Sequence, residues 1–470
     1  MRFFLLEASR RRRYNEGEVR VLKDFFELCP SLAAHCGRGV DFPTVRLLFE
    51  TFTAKAVVLT CRETVGTVFE IGVAPTVSCP AGKEYAVRVT SQGASVRGAD
   101  EKGLFRGIVS LLMKIDLSAE TLRIPCGEWE SGYGLNTRMI HFCVFPETDK
   151  EFLKKMIRLA GLCQYTHVVL EFWGSLRYDC LKELSWQQAF SKAEAAELIG
   201  AIRAFGMEPV PMFNHLGHAA ASRVCYGKHV VLDQNPALHR LFTPDGWAWN
   251  IASSETAALL KSVRAELDEL FGKGEFFHLG CDEAYYLTGN DTLRRLLPSY
   301  LSALTEEVVK EGRRPMLWMD MLLPRGKFAC ATATGDPEEI PALMGALAKE
   351  TVAVDWQYGV GSAPVESSVY LKETCGMEVI GAPWLSFDAQ KAHIETAKTY
   401  GLRGVMITTW NTLKEDAPGI YAAAQLMGAA TFDWAPFSGA REITASLLRR
   451  AAFRPQSYAE CGWSQKQVEV

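Results

Sequence analysis

FFHLGCDEAYYL, residues 276–287, passes from apolar to charged to aromatic within one short stretch. Its first half is too short for a helix and reads as a buried strand closed by a glycine. The strand delivers two adjacent carboxylates, Asp282 and Glu283, to its C-terminal end. Working outward, seven further segments repeat the pattern of a short apolar run followed by a helical one. The eight strand candidates are Met139–Phe142, His167–Phe172, Glu208–Phe213, Phe276–Gly280, Met316–Trp318, Val352–Trp356, Val379–Ala382 and Gly404–Thr409.

Punctuation between them supports intervening helices. Thr148 with Glu151, and Ser191 with Glu194, have capping-box spacing. Asp336–Pro337 reads as an N-cap and first helical position. Gly206 and Gly401 stand where helices should stop. Eight strand–helix units in about 300 residues predict an α/β fold of the (β/α)8 TIM barrel type over 137–435. The competing architecture, a doubly wound open sheet, would be expected to carry a GxGxxG turn after its first strand, and this chain has none there. Residues 1–125 differ in pattern. Val57–Thr60, Tyr85–Thr90 and Ala94–Arg97 read as strands and Lys102–Ile115 as a helix, which makes a small α+β domain preceding the barrel. CGEWESGYGLN (126–136) reads as a connecting loop, and 436–470 as a terminal helix and polar tail.

Composition narrows the partners. Of 470 residues, 48% are hydrophobic and 23% charged, with a formal net charge of −4. That balance gives no reason to expect nucleic acid or an acidic membrane. The N-terminal MRFFLLEASRRRR has too short an apolar run for a secretory signal. No stretch approaches the ~20 apolar residues of a membrane span. The 13 cysteines form no CxxC pair. These features together lead us to expect a cytoplasmic protein.

A barrel carries its active site at the C-terminal ends of its strands. Read in order, those ends supply Glu171, then Asn214, His215 and His218 of FNHLGH, then Asp282 and Glu283, then Trp318 and Asp320, Trp356 and Tyr358, Trp384, and Trp410. Tryptophan faces stack on the apolar faces of sugar rings, and carboxylates bind hydroxyls and move protons. The set suits a pocket for one sugar residue. Each member also has a plainer reading. Asp282–Glu283 could cap the following helix. His215 and His218 could be a metal pair, although no third ligand is evident. A strand-end tryptophan can simply be core. We expect neither metal nor cofactor.

Three segments now resemble a known family. FHLGCDEAYYL looks like the catalytic segment of glycoside hydrolase family 20, the β-N-acetylhexosaminidases. FNHLGH resembles its strand-3 segment, with Asn214 where an acid is usual. YAVRVTSQGASVRGADEKGLFRGIVSLL (85–112) is similar to the end of its N-terminal module. HLGCDEAYYL, LWMDML, WQY and ITTW point to the hexosaminidase D type branch. The resemblance implies exo-acting, retaining, substrate-assisted hydrolysis of a terminal β-linked N-acetylglucosamine or N-acetylgalactosamine. The 2-acetamido oxygen would attack the anomeric carbon, so the two-carboxylate spacing rule does not apply. It implies that Glu283 is the general acid and base and that Asp282 orients the acetamide and stabilises the oxazolinium. Glu171, Asn214, His218, Trp318, Asp320, Trp356, Tyr358, Trp384 and Trp410 would bind substrate, a small oligosaccharide or glycoconjugate. The Asp282 charge and an apolar wall would raise the Glu283 pKa to roughly 6.

The chain departs from the family in three places. HFCVFPET (141–148) lacks the usual Arg after strand 1, APWLSFD (382–388) has Leu385 for the usual acetamide-binding Tyr, and Trp410-Asn411-Thr412 lacks the usual Glu. Tyr358 is the first candidate to replace that Tyr, with Tyr285 or Tyr286 next. Two other readings remain open: a non-catalytic sugar-binding barrel, and a glycosidase with a direct carboxylate nucleophile.

Overall fold

The computed structural model describes residues 77–115, 123–131, 134–219, 235–328, 335–410 and 413–428, the strand segments 25–27, 33–36, 58–61 and 68–72, and helical residues 444, 445 and 447. The expected terminal helix and tail at 436–470 therefore lie outside the described residues, those three positions apart.

The N-terminal module holds β1 (Phe25–Glu27), β2 (Ala33–Cys36), β3 (Val58–Cys61), β4 (Val68–Gly72), β5 (Tyr85–Thr90), β6 (Gly93–Gly98), β7 (Arg123–Pro125) and β8 (Gly127–Glu130). Six of them form one sheet in the order β3-β2-β4-β6-β5-β8, and β1 pairs with β7. The helix Glu101–Leu112 packs on this module through buried Leu104, Phe105, Ile108, Val109, Leu111 and Leu112. Asp100 caps it by accepting from the Gly103 N–H at 2.6 Å. Part of the segment expected to be a loop at 126–136 is β8. Its residues lack apolar alternation, but the backbone completes the open edge of β5. Trp129 on that strand donates to Ser110 Oγ at 2.9 Å.

All eight expected barrel strands are present: β9 (Thr137–Cys143), β10 (His167–Glu171), β11 (Glu208–Met212), β12 (Phe276–His278), β13 (Arg314–Trp318), β14 (Val352–Asp355), β15 (Glu378–Gly381) and β16 (Gly404–Ile407). They are parallel and close in sequence order, with β16 pairing β9. Strands buried on both faces read as near-continuous apolar runs, which is why this part of the sequence was legible. Met139, Val169, Val210, Met212, Phe276, Met316, Trp318, Val352, Val354, Ile380 and Met406 fill the interior.

Helix starts follow the expected chemistry with two corrections. Ser191 and Glu194 make a full capping box. The helix after β9 is capped by Asp149, whose carboxylate takes the Phe152 N–H at 2.7 Å, while Thr148 takes that of Phe145. Asp336–Pro337 opens a turn rather than a helix. Its carbonyl receives the Glu339 N–H at 2.9 Å, and the helix begins at Ile340.

At the N-terminal ends of the strands, charges are matched. Glu84 of the small module meets Arg106 at 3.0 Å and the buried Arg138 of β9 at 3.2 Å. Arg138 also donates to the carbonyls of Leu135 and Gln164. This seats the module against the floor of the barrel. Among the described residues, no helix is long and apolar enough to cross a membrane.

Candidate active site

Beyond His278 the chain stays tied to both neighbouring strands. Leu279 N–H donates to the Met316 carbonyl of β13 at 2.8 Å, and the Leu279 carbonyl accepts from His215 N–H, just past β11, at 2.8 Å. Gly280 then turns at φ +67, where a Cβ would stand 2.3 Å from Asn214 Oδ1. Gly217 is required for a related reason: a Cβ there would stand 1.8 Å from the Asp282 carbonyl oxygen. The glycines of HLGCDE and FNHLGH thus let two loops cross at contact distance. Cys281 (φ +76) and Glu283 (φ +53) are also left-handed. Of the seven non-glycine residues with positive φ among those described, six follow a barrel strand on this rim: Trp173, His218, Cys281, Glu283, Leu385 and Trp410. Left-handed backbone costs on the order of 1 kcal/mol or more per residue and gathers where geometry is constrained by function.

This backbone brings Asp282 and Glu283 onto one histidine. His218 Nε2 lies 2.9 Å from Glu283 Oε2 and 3.3 Å from Asp282 Oδ2. Tyr285 donates to Glu283 Oε1 at 2.9 Å. The Glu283 peptide is held at both ends. Its N–H donates to Asp320 Oδ2 at 2.9 Å, and its carbonyl accepts from Trp247 Nε1 at 2.9 Å. Neither carboxylate caps a helix. Tyr285–Thr288 has no side-chain cap, and Asn290 caps Asp291–Lys310. Asp320 is buried, and its other oxygen accepts from Trp356 Nε1 at 3.3 Å. Burial, with the Glu283 charge adding to it, raises the Asp320 carboxyl to about 7.

Aromatic rings form the wall. The rings of Trp356 and Tyr358 are 5.0 Å apart, and those of Tyr358 and Trp384 5.4 Å. Trp410 Nε1 donates to Tyr358 Oη at 2.8 Å. Trp356, Tyr358, Trp384 and Trp410 are half-buried, as are Glu283 and His218, and all six sit around the barrel mouth. The other sequence-predicted residues lie deeper. Trp318 is fully buried beneath Trp410, with ring centroids 6.0 Å apart. Asn214 is buried behind Gly280, and Asp282 is largely buried. Glu171 has no exposed surface and sits 2.8 Å from His141 Nε2.

His215 and His218 do not act together. The buried His215 contacts the Phe213 carbonyl through Nδ1 at 2.7 Å, and burial lowers its pKa to about 3. Among the described residues, no three His, Cys, Asp or Glu side chains group as a metal site.

Sequence reasoning missed three participants. His141 shares the inward face of β9 with Met139, so strand alternation could have found it. Trp173 stacks on His218, with centroids 6.2 Å apart and planes 12° apart. It stands just past the end of β10, where a reading of strand ends reaches it. Trp247 packs on His218 at 4.4 Å from a long loop, where no periodicity marks it.

The arrangement can hold a proton at Glu283 beside a second carboxylate and present both to a ring lying on the aromatic wall. The sequence profile described as "Glycosyl hydrolase family 20, catalytic domain" matches residues 165–466. No curated protein sequence matches the chain. Solved structures do. A Flavobacterium johnsoniae chitobiase is 14% identical with a TM-score of 0.69, covering 92% of this chain and 72% of its own. A Bacteroides fragilis β-N-acetylhexosaminidase is 17% identical with a TM-score of 0.66, covering 94% and 96%. A Streptomyces coelicolor A3(2) β-N-acetylhexosaminidase is 15% identical with a TM-score of 0.67, covering 92% and 96%. At these identities the likeness is one of fold.

Proposed function

This chain belongs to glycosyl hydrolase family 20 and is a glycoside hydrolase, and from that premise we propose that it removes a terminal β-linked N-acetylhexosamine by substrate-assisted, retaining catalysis. The observation that carries the reading is the single histidine, His218, within 3.3 Å of both Asp282 and Glu283 at the mouth of an aromatic-walled barrel.

The chemistry follows from the placement. Glu283 is the group nearer the open side, with side-chain exposure of 24% against 6% for Asp282. It protonates the departing oxygen and later takes a proton from water. Asp282, more enclosed, orients the acetamide N–H and balances the positive charge of the oxazolinium. His218 keeps both carboxylates in register. Trp356, Trp384 and Trp410 give the sugar an apolar wall. Tyr358 replaces the family's acetamide-binding tyrosine. Its oxygen already accepts from Trp410, and burial holds its pKa well above the ordinary value. It therefore keeps its proton, and donation to the acetamido oxygen would exchange its hydrogen bond with Thr408 for one to the sugar. Asp320, with both oxygens engaged by Glu283 and Trp356, acts by holding those groups rather than by touching sugar.

Release of chromophore from aryl β-N-acetylglucosaminide and its 4-epimer tests the reading. Turnover of at least one is expected, and the ratio sets the epimer preference. Absence of turnover on both, with folded protein, would sink it.

A further inference from the structure

Tyr285 opens the short helix Tyr285–Thr288 directly after the carboxylate pair. It is 43% exposed, one of three large apolar side chains so exposed among the described residues. Its hydroxyl nevertheless reaches back to Glu283 Oε1 at 2.9 Å. The other carboxyl oxygen, Oε2, meets His218, which is packed between Trp173 and Trp247. The Glu283 carboxyl therefore has an enclosed side, occupied by His218, and an open side, occupied by Tyr285. The aromatic wall of Trp356, Tyr358, Trp384 and Trp410 comes from strands β14 to β16, across the mouth from β12. A terminal sugar on that wall has its scissile oxygen at Glu283 and its departing portion on the open side, along Tyr285.

Resting on the proposed glycosidase reading, we propose that Tyr285 forms the subsite for the leaving group: its hydroxyl steadies the Glu283 carboxyl and its ring face takes the first ring of the departing portion, a pyranose or an aryl group. The hydroxyl is a donor throughout the working range. Burial, then the charges of Glu283, Asp320 and Asp282, hold the phenol pKa well above its ordinary value. It steadies the acid without competing to lose a proton. The ring offers a flat apolar face at low cost in side-chain freedom, which suits stacking on a ring of either kind. The two parts separate by substitution, since Tyr285→Phe keeps the face and Tyr285→Ala removes both.

The test is a binding titration of the non-hydrolysable sulfur-linked β-1,4 disaccharide of N-acetylglucosamine, against methyl β-N-acetylglucosaminide. Wild-type protein should prefer the disaccharide by about 10-fold, the scale of one aromatic stacking contact. Tyr285→Phe should keep that preference and Tyr285→Ala should erase it, with methyl glycoside affinity unchanged in both. On the oxygen-linked disaccharide, Tyr285→Phe should lower kcat several-fold with little change in KM. Equal affinity of wild-type protein for the two ligands would overturn the proposal, as would a preference that survives in Tyr285→Ala. If Tyr285→Ala does not fold, a loss of the preference in Tyr285→Phe would equally overturn the assignment to the ring face. Protein that shows the expected binding pattern but hydrolyses neither sugar would contradict the glycosidase reading and leave this subsite standing.

Discussion

At the floor of the barrel, Glu84 meets Arg106 and Arg138, and Glu275 and Glu378 meet Arg314 and Arg403. At the mouth, Asp282 and Glu283 share one histidine, and a third carboxylate, Asp320, lies against the Glu283 peptide. The backbones differ in the same sense: six left-handed non-glycine residues lie just past strand ends at the mouth. The floor neutralises its charges and carries one left-handed non-glycine residue among those described, Gln164. The mouth crowds like charges and keeps strain. Crowded buried carboxylates are costly, and among the described residues they gather at the mouth, which supports placing the proposed proton transfer there.

Substitutions can break the contrast from either end. Glu283→Gln removes the proton carrier and should lower turnover of a disaccharide by about 10²- to 10⁴-fold, with a smaller loss on activated aryl leaving groups. The melting temperature should hold or rise, because a crowded carboxylate is removed. Steady-state kinetics on the two leaving groups and a thermal melt check both halves. At the floor the pattern inverts. Arg138→Met leaves Glu84 with Arg106 alone and strands two carbonyl acceptors, which should cost about 2 kcal/mol of stability. Denaturant titration should record that loss while kcat of the folded fraction stays unchanged. A fall in kcat as large as that in Glu283→Gln would mean that the two ends are not separable. The smallest effect is expected from Tyr358→Phe. Losing one transition-state hydrogen bond should lower kcat by about 10-fold or more. Binding of a thiazoline mimic of the oxazoline should weaken in parallel. Unchanged kcat and thiazoline affinity would assign the acetamide contact elsewhere.

The two ends were also unequally legible in the sequence. Phe276–His278 and its seven counterparts are short apolar runs buried on both faces, so the barrel could be read strand by strand. Strand ends also located Asp282, Glu283 and the tryptophans of the wall. Whether a strand-end side chain faces the pocket or lies beneath it depends on loops that carry no period. That is why Glu171, Asn214 and Trp318 were grouped with Trp356 and Trp384, although the structure buries the first three. Asp320 shows the same limit: its position was readable, but its bonds to the Glu283 peptide and the Trp356 indole were not. Trp247 comes from a loop after β11 and reaches the site through tertiary packing. In the N-terminal module, β5 was read at its observed ends, Tyr85–Thr90. β8 was missed because GEWE takes its conformation from the neighbouring edge rather than from its own residues.

The central claim is that the substrate's own acetamide is the nucleophile beside Asp282 and Glu283. The most direct measurement compares initial rates on one aryl β-glycoside carrying a 2-acetamido group and on its counterpart with a free 2-amine. The account predicts turnover of the acetamide and loss of about 10²-fold or more on the amine, which has no carbonyl oxygen to place against the anomeric carbon. Comparable rates on the two would contradict it and point to a carboxylate nucleophile instead.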